Sequence, residues 1–227
     1  MDYRLAAGGP NASGRANRVA PDGSTHAVAD RGLFWGNRGR LLNSAGKLAR
    51  HSQGRNWIIC QLEFNGRQRV QWRPDRLTEL YFLDEATALA AGHRPCGECR
   101  HQDHQRFKAA WTRAHPDTAD RAADIDRRLH ADRLGPEGRR THVAPLASLP
   151  DGTMVEHEDT FWLVRGGFLH EWTFGGYRAV RPRSDFPSDI TVRTPRATVA
   201  TLRAGYQPAY HPSATPSGAG DDTAGPS

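Results

Sequence analysis

Along this chain the apolar positions recur at two different periods, and the change between them predicts the elements. Leu80, Tyr81, Phe82 and Leu83 form a short apolar and aromatic run suited to a buried strand. Asp84 then stands where a helix N-cap stands, and Glu85 adds negative charge at the positive end of the helix. Ala86 to Ala91 are strong helix formers with Leu89 as the packing residue, Gly92 supplies the left-handed closing position, and Pro95 forbids continuation. Phe107, Ala110, Trp111 and Ala114, at three-and-four spacing, predict a helix from just after Cys99 to about Ala114. Ala122, Ile125 and Leu129 predict a second, over Thr118 to Leu134, with its mixed charges on a solvated face. From Val143 the period falls to two. Strands are expected over Thr153 to His157, Thr160 to Arg165, Phe168 to Thr173 and Tyr177 to Val180, joined by short turns as an antiparallel meander. Ile190 to Arg193 adds a further strand, and Thr194-Pro195 opens a short helix that Gly205 closes.

The N-terminal part reads as two hairpins. Gly32 to Leu42 places a Gly-Asn-Arg-Gly turn between two short apolar segments. In Trp57 to Trp72, a three-residue loop Phe64-Asn65-Gly66, with Gly66 left-handed, sets Ile58, Cys60 and Leu62 on one apolar face with Val70 and Trp72. The same register sets Glu63 against Arg67 across the polar face. Between the hairpins, Asn43 to Arg55 is polar loop. The fold class expected is α+β: hairpins with a helix and a cysteine knuckle, two further helices, and a small antiparallel meander. The divisions expected are a disordered arm over 1–27, a domain over 28–115, a helical linker over 116–142, the meander with its helix over 143–206, and a disordered tail over 207–227.

Charge sharpens this picture. Residues 28–115 hold 15 Arg and Lys against 8 acids, whereas 116–227 hold 13 against 15. The basic excess surrounds the cysteines, a footprint expected for a polyanionic partner such as nucleic acid. Nearly all of it is arginine, as a GC-rich coding sequence also gives. No run of eighteen apolar residues exists and the N-terminus lacks the apolar core of a signal peptide, so the expectation is a cytoplasmic protein with no membrane span. The 3 cysteines, an odd number, argue against a disulfide framework and leave metal binding, redox chemistry or simple burial.

Cys96 and Cys99 flank a Gly-containing turn, which is the geometry of a zinc knuckle. A redox C-x-x-C normally opens a helix after a strand; this one follows a helix, a glycine stop and Arg94-Pro95. Arg94 and Arg100 lie beside the thiols, where positive charge favours thiolate. Phe82 to Arg100, and above all Ala91-Gly92-His93-Arg94-Pro95-Cys96-Gly97-Glu98-Cys99-Arg100, resembles the second half of the Ada-type metal-binding domain, the zinc module of methylphosphotriester DNA-repair proteins. The resemblance spans about twenty residues, weakens over Gly32 to Trp72 and does not extend further. It implies that Cys96 and Cys99 are a zinc ligand pair held by the Arg94-Pro95 turn. That family has two more cysteines upstream, four apart, one of which accepts the methyl group; here Cys60 stands alone. A complete zinc site therefore needs Cys60 and one of His51, His93, His101 or His104, of which His104 lies five residues past Cys99 on the following helix.

Cys60 also alternates with Ile58 and Leu62, as a buried apolar thiol does. The functional expectation is a zinc-stabilised nucleic-acid-binding protein, DNA rather than RNA, with Arg94, Arg100, Arg67 and Arg69 on phosphate. Two other readings stand beside it: a DNA-repair protein whose zinc-linked Cys60 accepts a methyl group, and a protein-interaction module with a structural zinc. Phe161, Trp162, Phe168, Trp172 and Tyr177 read as the core of the meander, with a partly exposed subset able to stack bases or grip a partner protein.

Overall fold

The computed structural model describes residues 5–6, 15–66, 72–136 and 138–215. In chain order come the strands β1 (Leu5–Ala6), β2 (Arg18–Val19), β3 (Thr25–His26), β4 (Phe34–Asn37), β5 (Ile58–Gln61) and β6 (Leu80–Phe82). Helix α1 (Glu85–Ala90), strand β7 (Arg94–Pro95) and the helices α2 (His101–Ala114) and α3 (Ala122–Arg133) follow. A two-stranded ribbon, β8 (Leu134–Gly135) and β9 (Gly138–Arg139), leads to β10 (His142–Pro145). The chain continues with β11 (Met154–His157), β12 (Thr160–Arg165), β13 (Phe168–Thr173), β14 (Gly176–Pro182), β15 (Asp189–Val192) and helix α4 (Arg196–Arg203).

Two larger sheets result. One has the order β1-β3-β2-β6-β4-β5-β7 and mixes parallel with antiparallel pairs. The other is the expected antiparallel meander, β11 to β14, extended on the β11 side by β15 and β10. The local signals around α1 operate as read. Asp84 has extended backbone and accepts a hydrogen bond from the Thr87 amide at 2.9 Å, and Gly92 closes the turn with φ of +89°.

The first N-terminal hairpin does not form, and the return strand of the second lies largely outside the described residues. Gly36-Asn37 is not a turn but the end of β4, which lies between β5 and β6 with Gly36 opposite both Ile59 and Leu80. The reason is contact distance: a Cβ on Gly36 would stand 2.1 Å from the Ile58 carbonyl oxygen, so that glycine serves close strand approach. Strand β5 has β4 on one edge and β7 on the other, so Ile58 has no free edge for the expected pairing with Trp72. Trp72 instead has φ of +63° and anchors its indole N–H on the Gly46 carbonyl, while Arg67, Arg69 and Val70 lie outside the described residues. Gly66 does take the left-handed conformation, with φ of +62°.

The expected divisions do not separate cores. One cluster joins Val19 from the supposed arm, Ile59, Leu80, Phe82 and Trp111, Ile125 and Leu129 from the supposed linker, and Leu202 and Tyr206 from the C-terminal part. A second interface packs Leu83, Ala86 and Ala90 against Met154, Leu163, Trp172 and Tyr177 of the meander. Thus α1 is covered on both sides, and all six of its residues are buried. Within the supposed arm, β2 and β3 are sheet strands, and within the supposed tail Ala214 is buried. Among the described residues no helix is long and apolar enough to cross a membrane.

Candidate metal centre

The cysteine knuckle hangs from β5. Parallel pairing sets Ile58 beside Arg94 and Ile59 beside Pro95, and the Cys96 amide donates to the Ile59 carbonyl at 2.9 Å. Because side chains alternate along a strand, Ile59 faces the helices and Cys60 faces the other way, beside Trp35 of β4 and, one strand further, Tyr81 of β6. Cys60 thereby meets the knuckle. Its sulfur and those of Cys96 and Cys99 all lie within 4.8 Å of one another, and the three residues are 3%, 8% and 8% exposed. Trp35, Ile58, Phe64 and Tyr81 pack around them. All three are free thiols, and the Glu98 amide donates to the Cys96 sulfur at 3.4 Å.

The metal-free trio shares its protons unequally. Hydrogen bonds from Cys60 and Cys99, with the Glu98 amide, drive the Cys96 thiol far below its ordinary value. The contact with Cys96, then that with Cys99 and burial, push Cys60 far above. For Cys99 the Cys60 contact pulls downward, but Cys96 and burial outweigh it and the thiol is raised. Three thiols this close together form a set that a soft cation would hold as thiolates. Three sulfurs in an apolar, water-poor wall suit zinc or another thiophilic metal and disfavour hard, oxygen-seeking cations.

His104 is not among the three mutually close ligand atoms. It is buried, and its ring lies alongside Gly97, where an added Cβ would be 3.4 Å from the imidazole Cδ2. Burial, followed by the charge of Arg94, lowers its pKa, so the ring is neutral and chemically able to bind metal. His93 is fully buried and already engaged: Arg38 Nε donates to its Nε2 at 3.2 Å, and its Nδ1 lies 3.2 Å from the Ala88 carbonyl. His101 places its Nδ1 3.1 Å from the Gly97 carbonyl, and His51 stands edge-on to Trp57.

Arg94 and Arg100 are the clearest departure from the sequence reading. Both are 4% exposed. Arg94 makes a two-pronged pair with Asp126 of α3, donating from Nε and Nη2 at 2.7 and 2.8 Å. Arg100 donates to Glu85 at 2.9 Å and to Asp103 at 2.8 Å, and its guanidinium lies over the Phe34 ring. Each is spent on carboxylates inside the protein, so neither presents its charge to a phosphate. Arg67 and Arg69 lie outside the described residues. Cys60, the candidate methyl acceptor, sits behind the β4 tryptophan and is accessible only at its margin.

Sequence reasoning missed Asp126 and underused Glu85. Asp126 precedes Leu129 by three positions and so shares its inward face, which marks it as a buried acid needing a cation.

The chain matches no family model, no curated protein and no solved structure. The sulfur geometry therefore stands as the functional evidence.

Proposed function

We propose that this chain is a zinc-stabilised nucleic-acid-binding protein, DNA being the expected partner, in which Cys60, Cys96 and Cys99 hold the ion. The observation that carries the reading is the convergence of three buried thiols at the root of a basic, acid-free loop. That loop, residues 38–57 between β4 and β5, contains no Asp or Glu, and it exposes Arg40, Lys47, Arg50 and Arg55. Cys60, Cys96 and Cys99 would hold zinc as thiolates, their protons passing to solvent, and the ion would tie β5 to the knuckle. The chain's own residues do the rest: β5 carries one end of the loop, Trp35 and Phe64 keep water from the sulfurs, and the exposed loop cations supply phosphate contacts. This assigns phosphate contact to the loop in place of Arg94 and Arg100.

Fluorescence anisotropy with labelled duplex DNA tests the proposal, alongside metal analysis of wild type and of Cys60→Ser, Cys96→Ser and Cys99→Ser. The expected results are one zinc per chain, lost or greatly weakened in each variant, and DNA binding that weakens steeply with salt. Arg50→Gln and Arg55→Gln should each lower the salt slope by about one. Stoichiometric zinc with no DNA binding at low salt would overturn the nucleic-acid half, and full zinc retention in Cys60→Ser would overturn the ligand set.

A further inference from the structure

A second site lies away from the cysteines. A cleft of about 580 Å³ opens between the end of α3, the β8–β9 ribbon, the start of β10 and the first turn of α4. Asp132, Arg139, Arg140, Thr141, His142 and Arg196 line it. Its size is that of a small-molecule pocket, within the range of several hundred Å³ typical of ligand sites. Its lining is cationic and hydrogen-bonding.

The one carboxylate among the described lining residues, Asp132, is already engaged. Asp132 Oδ2 accepts the Ala197 amide of α4 at 2.7 Å, and Oδ1 lies 3.6 Å from Arg128 Nε. The arginines divide into anchored and available parts. Arg139 donates both terminal nitrogens to the Ala90 and Ala91 carbonyls. Arg140, exposed at the cleft, donates its Nε to the Leu134 carbonyl at 3.0 Å, and among the described residues its two terminal nitrogens have no hydrogen-bond partner. Arg196 is exposed, opens α4 and pairs with no carboxylate among the described residues. His142 is held neutral, its pKa pushed down to about 4 by burial and then by Arg196. A neutral imidazole and the Thr141 hydroxyl can each donate or accept a hydrogen bond.

Guanidinium forks beside neutral hydrogen-bonding groups match a tetrahedral oxyanion carrying two charges and several acceptor oxygens. We propose that this cleft binds a phosphate monoester of up to nucleotide size, with Arg140 and Arg196 gripping the phosphate and Thr141 and His142 completing its hydrogen bonds. The inference rests on this lining alone and requires neither the zinc centre nor the basic loop.

Isothermal titration of the full chain with ribose 5-phosphate and with AMP, each at low salt, tests it. Saturable binding of at least one of the two is expected, with affinity reduced about tenfold or more in Arg196→Gln, the loss expected for one charged hydrogen-bonding group. Arg50→Gln, in the loop, should leave that affinity unchanged. Arg140→Gln should weaken binding as well, and its melting temperature reports whether the Leu134 contact was also structural; Arg196→Gln, exposed and making no such contact, is the variant that decides. Absence of binding by wild type at millimolar ligand would overturn the proposal, as would binding insensitive to Arg196→Gln. Binding of duplex DNA with no small phosphate bound would also overturn it, while leaving the loop reading intact.

Discussion

Asp126→Asn tests whether the arginine beside the knuckle is structural. The substitution keeps the shape of the side chain and removes its charge, leaving the Arg94 guanidinium enclosed without its partner. The pair is two-pronged at 2.7 and 2.8 Å, and its side chains are only 5% and 9% exposed, so solvent cannot compensate the loss. Breaking a buried pair from one side costs about 3–5 kcal/mol. In a chain of this size each kcal/mol moves the melting temperature by about 2–4 °C, so a fall of roughly 6–20 °C is expected by thermal circular dichroism. Arg94→Met combined with Asp126→Leu removes both charges, and that double variant should be more stable than Asp126→Asn alone. DNA binding per folded molecule should be unchanged in both variants. An Asp126→Asn protein within about 1 kcal/mol of wild type would refute the reasoning. So would an Arg94→Met protein of normal stability that no longer binds DNA, because the guanidinium would then be serving phosphate.

Zinc loading at pH 7 should release protons, since metal-bound cysteines are thiolates and mutual contact with burial raises the Cys60 and Cys99 thiols, so apparent affinity should rise with pH. Calorimetry in buffers of different ionisation enthalpy measures this, and release of no protons would contradict the assigned thiol states. His93 gives a second pH dependence: burial, followed by Arg38 and Arg133, holds its imidazole well below the usual range. The unfolded chain takes up that proton near pH 6.5 and the folded chain does not, so the stability is complete above that pH and falls by about 1.4 kcal/mol per unit below it. Urea unfolding at pH 7 and pH 5.5 tests this, and equal stabilities would refute it. Gly36→Ala should cost about 3 kcal/mol or more or prevent folding, because the added Cβ meets backbone 2.1 Å away; soluble expression and melting temperature decide, and a wild-type melt would disprove the close approach.

What the sequence revealed and what it hid follow from the range of the interactions. The Asp84 cap, the Gly92 stop and the strands β12 and β13 rest on residues a few positions apart, and the structure has them where the pattern puts them. Cys96 and Cys99 were equally legible, being three positions apart on one turn. Cys60 had two readings, a core thiol or a ligand, and the structure shows they are compatible: it is buried, and it is buried against the other two sulfurs. The failures are long-range. Composition marks Gly36 as a turn residue, whereas its place between β5 and β6 depends on strands that arrive over twenty residues later. Arg94 and Arg100 looked like phosphate contacts because their carboxylates, Asp126 and Glu85, are 32 and 15 residues away in the chain. Glu85 shows how far the consequence reaches. Besides Arg100, it accepts the Tyr206 hydroxyl at 2.6 Å and the Ala209 amide at 2.9 Å. A segment whose composition reads as the start of a disordered tail therefore closes the hydrogen-bond shell of the acid that holds the residue next to Cys99. The local sequence motif specifies the knuckle's turn, but its orientation toward Cys60 depends on contacts from both ends of the chain.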